Sequence, residues 1–220
     1  TEPSGVRNLQ KEGISDKKIF FTGNKMIDSL ITLLPVIKKS NILKELCISE
    51  NNYALITLHR PSNVDSKDNL AKVINIITGI NKISPKTDIV FPVHPRTQKM
   101  LEKFGLLKNL ESTNNLILTE PLGYVDFMRL VSTAKFILTD SGGIQEESTY
   151  LKIPCITLRD STERPVTTEL GTNTITGLDE KAVRKAIEQI EKGVYKKGKI
   201  PKFWDGNSAE RIVKVILEKI

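Results

Sequence analysis

Residues 135–148 read KFILTDSGGIQEES: an apolar run, an acid and a serine, two glycines, then a stretch with adjacent glutamates. A short apolar run broken by Asp140-Ser141-Gly142-Gly143 reads as a strand buried on both faces that turns tightly into a helix. The glycines have two readings. They serve the turn, with Ser141 capping the helix. Alternatively, they let backbone N–H groups close on a ligand while the helix N-terminus adds donors and partial positive charge; phosphate is then the natural guest. No Walker lysine is present and no GxGxxG occurs, which argues against a nucleotide triphosphatase or a dinucleotide fold.

The same unit recurs outward from this stretch. Strands are predicted at 18–22, 53–58, 88–93, 116–119, 135–139, 154–158 and 174–176, several as near-continuous Val, Ile, Leu and Phe. Between them run amphipathic helices. Leu70, Val73, Ile74 and Ile77 share a stripe of 65–83, and Val183, Ile187 and Ile190 one of 179–192, with Asp179 as N-cap. A helix is predicted over 124–134, and another over 208–220 with Asn207 and Glu210 in capping-box spacing. This alternation predicts an α/β fold, a doubly wound parallel-sheet sandwich of Rossmann-like type. Residues 1–40 read as a connecting segment or the tail of a preceding domain. Residues 41–206 read as the ligand-binding domain, polar and loop-like over 41–52 and compact from about Tyr53, and 207–220 as a C-terminal helix.

Bulk composition narrows the classes. With 220 residues, 39% hydrophobic and 27% charged, the chain can bury one sizeable core. No apolar stretch is long enough to cross a bilayer. The net charge of +7 is scattered among acids and aromatics are only 5%, so neither a basic stripe nor a stacking platform for nucleic acid is present. Cys47 and Cys155 have no metal or redox spacing and read as buried free thiols of a cytoplasmic protein.

The residues just beyond the strands carry the stronger signal. His59-Arg60-Pro61, His94-Pro95-Arg96, Glu120-Pro121, Asp140-Ser141-Gly142-Gly143 and Arg159-Asp160, leading to Arg164, all fall at predicted carboxyl ends. Ligands of open α/β sheets bind there. Both histidines of the chain lie in this set. Each residue also has a plainer role. His59 and His94 can cap helices, or donate to phosphate and pass protons. Arg164 can form a surface ion pair or a forked anion contact. Glu147 can favour the helix dipole, or accept two hydrogen bonds from a vicinal diol. Phe127 can be core or stack on a base.

Together these stretches resemble the non-hydrolysing UDP-N-acetylglucosamine 2-epimerases. The matching pieces are Thr57-Leu58-His59-Arg60 with Asn63, Pro92-Val93-His94-Pro95, Glu120-Pro121, Thr139 through Glu147, and Arg159-Asp160 through Pro165; Gly171-Thr172-Asn173 and Trp204-Asp205-Gly206 also fit. The resemblance implies the C-terminal domain of a two-domain GT-B type enzyme. By it, Ser141, Gly142 and Gly143 cradle the diphosphate, Glu147 takes the ribose, Phe127 lies beside the uracil, Arg164 contacts UDP, and His59 is catalytic at the leaving diphosphate. Arg60 and His94 are secondary candidates. It implies conversion of UDP-GlcNAc to UDP-ManNAc with no NAD and no metal, and a homodimer of the full-length protein.

This sequence departs from many bacterial members at Pro61-Ser62-Asn63-Val64-Asp65, Leu122 and Val166, which weakens any inference of allosteric regulation through His94. The family's candidate acid/base carboxylates lie in an N-terminal domain. The chain is therefore expected to be the C-terminal half, binding UDP but not turning over without that domain as partner. The rival expectations are a GT-B glycosyltransferase, a hydrolysing 2-epimerase and a non-catalytic nucleotide-binding domain.

Overall fold

The computed structural model describes residues 1–219. Its sheet has six parallel strands: β1 (Tyr53–Thr57), β2 (Asp88–Pro92), β3 (Leu116–Thr119), β4 (Phe136–Thr139), β5 (Cys155–Thr157) and β6 (Asn173–Ile175). The spatial order is β3-β2-β1-β4-β5-β6. Helices α1 (Pro3–Lys11), α2 (Lys25–Ile37) and α3 (Ile42–Glu45) precede β1; α4 (Pro61–Val64) and α5 (Lys67–Ile83) come after it. Next come α6 (Pro95–Lys103), α7 (Leu107–Glu111), α8 (Tyr124–Thr133) and α9 (Gly142–Leu151). Last are α10 (Pro165–Glu169), α11 (Glu180–Glu191) and α12 (Ser208–Lys219). No helix among the described residues is long and apolar enough to cross a membrane.

Side chains alternate across each strand, so the sheet feeds two cores. Ala54, Ile56, Phe91 and Leu138 pack with α5 and α11 on one face; Tyr53, Leu55, Val90 and Ile137 pack with α2, α3 and α8 on the other. The chain winds from β1 out to β3, then returns to place β4 on the far side of β1. The reversal falls between β1 and β4, beyond whose carboxyl ends His59 and Asp140 lie, the place where ligands of such sheets bind.

Four expectations change. Residues 18–22 form no strand: a 3-10 turn covers Asp16–Lys18 and the chain beyond runs unpaired. A strand needs a sheet edge beside it, and this segment lies instead against α12, with Arg211 Nη1 donating to the Thr22 carbonyl at 3.2 Å. Residues 41–52 are not merely loop, since α3 and its flank bury Ile42, Leu43 and Ile48. Cys47 is exposed, while Cys155 is buried as expected. Within the segment 1–40, α2 buries Ile27, Leu30 and Ile37 completely. Each such side chain contributes roughly 1.5–3 kcal/mol, so α2 is a structural layer of this sandwich.

Two helix ends contrast a local cap with a distant one. Asp179 Oδ1 accepts from Lys181 N at 2.8 Å and Ala182 N at 3.3 Å, as the sequence predicts. At α12 the Ala209 amide donates to Asp28 Oδ2 of α2 at 2.9 Å, in place of the Asn207 cap.

Candidate functional site

Asp140, the first residue beyond β4, is wholly buried. Its carboxylate accepts from the His59 amide at 3.1 Å, the Arg60 amide at 2.9 Å and Asn63 Nδ2 at 3.2 Å. It therefore welds the loop leaving β1 to the loop leaving β4, across the topological switch. The His59 ring joins the same hub, with Nδ1 3.2 Å from Asp140 Oδ1. The contact is close as a charge pair but not aligned as a hydrogen bond; a carboxylate beside Nδ1 favours a proton there and leaves Nε2 for a ligand. The ring is 36% exposed, within reach of a ligand.

Next to this hub α9 begins. Ser141 occupies its N-cap position, but its hydroxyl makes no capping bond. The amides of the first helical turn, beginning with Gly142 and Gly143, have no preceding turn to bond. A Cβ on Gly142 would meet nothing within 4 Å, and one on Gly143 would come within 3.1 Å of Met26 Cε from α2. Gly142 thus leaves open space over the amides, and Gly143 lets α2 pack beneath them. Free donors, an uncommitted hydroxyl and the positive helix end make an anion cradle.

The paired acids of α9 diverge. Glu146 turns into the protein, accepting from Asn24 Nδ2 at 2.9 Å, with Arg164 Nε 3.0 Å from the same oxygen. The arginine contact is close as a charge pair, though not aligned as a hydrogen bond. Burial raises the Glu146 carboxyl above its ordinary range, while Arg164 and Asn24 pull the other way. Glu147 faces α8, where the Tyr124 hydroxyl donates to Oε1 at 2.9 Å. Burial lifts Glu147 to about 7, against the lowering effect of that hydrogen bond.

Arg164 sits at the N-cap position of α10 with its side chain 38% exposed. Its loop is braced by Arg159, whose guanidinium donates to Glu163 at 2.8 and 2.6 Å. That fork holds the Glu163 carboxyl down at about 2.

The structure brings most of the predicted residues to one rim and separates the rest by role. His94 is a helix cap: its Nδ1 accepts the Arg96 amide at 3.2 Å, and its ring centroid lies 5.7 Å from that of His59. Arg60 contributes its backbone amide to Asp140. Phe127, on α8 itself, is half-buried and packs on the core. Asn24, Asn63 and Tyr124 complete the site, with Asp140 as its hub. Asn63 lies in the His59-Arg60 stretch and Asp140 in the Ser141-Gly142-Gly143 stretch, but nothing local to Asn24 or Tyr124 marks them.

Comparison with known proteins bears on the fold and the family. The family model described as UDP-N-acetylglucosamine 2-epimerase matches residues 1–217. The UDP-N-acetylglucosamine 2-epimerase of Methanocaldococcus jannaschii is 42% identical over 212 residues, covering 95% of this chain and 57% of its own length. That of Methanococcus maripaludis is 40% identical, with 97% and 58% covered. A crystal structure of the M. jannaschii enzyme, in complex with UDP-GlcNAc and UDP, superposes with a TM-score of 0.87 over 97% of this chain and 58% of that one. The chain thus spans somewhat over half the length of these relatives. On fold and sequence alike, it belongs to the UDP-N-acetylglucosamine 2-epimerase family.

Proposed function

We propose that this chain is the UDP-binding, C-terminal half of a non-hydrolysing epimerase that interconverts UDP-GlcNAc and UDP-ManNAc. The observation that carries this reading is the switch-point rim, where an anion cradle at Ser141–Gly143 adjoins a histidine oriented by a buried carboxylate. The diphosphate sits on the free amides of α9, the ribose diol meets Glu147, the uracil lies by Phe127, and Arg164 reaches the nucleotide from α10. The C1–O bond to UDP breaks as the C2 proton leaves, giving a glycal. UDP then re-forms the bond at C1 and a proton returns to C2 on the opposite face. His59 offsets charge on the departing diphosphate or protonates it. The route is redox-neutral and calls for no NAD and no metal.

The test uses the full-length protein with UDP-GlcNAc in D2O, monitored by NMR. UDP-ManNAc carrying deuterium at C2 is the expected product. Free ManNAc with UDP would assign the hydrolysing reaction instead. Sugar nucleotide recovered without exchange at C2 would overturn the epimerase reading and favour a GT-B transferase. The 220-residue chain alone should bind UDP without turnover, and UDP-ManNAc formed by it would contradict the division of labour.

The role of Glu146 can be measured on the chain itself. Glu146→Gln keeps the shape but removes the charge beside Arg164 Nε. UDP affinity should fall about three- to tenfold by calorimetry, the range for one partly exposed charge contact. Unchanged affinity would mean that Glu146 serves packing alone.

A further inference from the structure

Tyr124 opens α8, and its hydroxyl is turned inward onto Glu147 Oε1 at 2.9 Å while the residue remains 42% exposed. Glu147 is only 4% exposed. Its second oxygen, Oε2, has no hydrogen-bond partner among the described residues, yet it is not among the sealed, unpaired atoms of the interior. One oxygen is engaged by the fold and the other is left for a ligand. We propose that Tyr124 is the positioning and specificity-determining residue for ribose at this rim: it locks Glu147 so that Oε2 meets a vicinal diol, and thereby selects ribonucleotide over 2′-deoxyribonucleotide. The inference rests on the reading of Ser141–Gly143 and Glu147 as a nucleoside-diphosphate grip.

The chemistry depends on the ionised acid. A carboxylate accepts at both oxygens, whereas a protonated carboxyl surrenders one of them to its own proton. The groups acting on Glu147 are the Tyr124 hydroxyl from α8, which favours ionisation, and the Glu146 carboxylate on α9, which opposes it. Burial places the balance at about 7. Without the hydroxyl, Glu147 keeps its proton to higher pH and is free to rotate.

The experiment is calorimetric titration of the 220-residue chain with UDP and with 2′-deoxy-UDP at pH 7 and pH 9, circular dichroism verifying the fold. The wild type should prefer UDP roughly tenfold or more, the scale of one hydrogen bond to a charged acceptor. In Tyr124→Phe the preference should shrink to about two- to threefold at pH 7 and recover in part at pH 9, as ionisation returns. Glu147→Gln should lose both the preference and its pH dependence. An unchanged preference and pH profile in Tyr124→Phe would overturn the inference while leaving the UDP grip intact. A preference retained in Glu147→Gln would overturn it equally. A wild type that binds neither nucleotide would overturn the underlying reading, and the inference with it.

Discussion

Replacing Asp140 with alanine is expected to destabilise the chain by roughly 3–5 kcal/mol, the cost of deleting a buried charge whose partners remain. The side chain is fully buried and takes hydrogen bonds from two backbone amides and the Asn63 amide. Alanine leaves these donors facing a void. The His59 and Arg60 amides lie near solvent, so entering water recovers part of the loss and sets the upper bound. Asp140→Asn keeps the volume and one acceptor oxygen, but turns an NH2 toward donors; roughly half the cost is expected. Urea denaturation checks both, as a lower midpoint at unchanged slope. A midpoint for Asp140→Ala within about 1 kcal/mol of wild type would show that the hub is not structural. If the full-length protein is the proposed epimerase, the asparagine variant should lose its activity beyond its loss of stability, because His59 no longer has a carboxylate beside Nδ1.

Glu147→Gln should have the opposite sign for stability, and its effect should grow with pH. The acid rises from 4.5 to about 7 on folding, chiefly through burial. Between those values the unfolded chain has released its proton and the folded chain retains it, so stability falls as pH rises. Below the unfolded value both states are neutral, and glutamine resembles the protonated acid. Above the folded value the wild type bears the full cost of a buried charge, roughly 3–4 kcal/mol for such a shift. The variant should therefore match wild type near pH 4 and exceed it by that amount near pH 8, read from thermal melts of the ligand-free chain. A pH-independent difference would mean that Glu147 does not titrate in this window. Stability gained while nucleotide binding is lost is the usual signature of a charge kept for function.

The layered α/β fold was legible in the amino acids alone, because parallel strands buried on both faces must be continuous apolar runs and amphipathic helices must cover them. So was the rim. His59, Ser141, Gly142 and Gly143 stood out as candidate site residues, and Asp140 within the same stretch, because they come directly after strands, and strand ends in such sheets share one edge. Local pattern could not tell that residues 18–22 would find no sheet edge, since periodicity describes a strand's faces and not its neighbours. Nor could it separate Glu146 from Glu147, because a helix dipole acts on both alike. Their roles were decided by Asn24, 122 residues away, and Tyr124, 23 residues away. The same holds for Asp28, which caps a helix 181 residues on, and for Asp140, which ties together loops 77 to 81 residues apart. A buried polar group must find a partner, but which partner depends on the elements that tertiary packing brings within hydrogen-bonding distance, and that choice leaves no trace in the spacing of the chain.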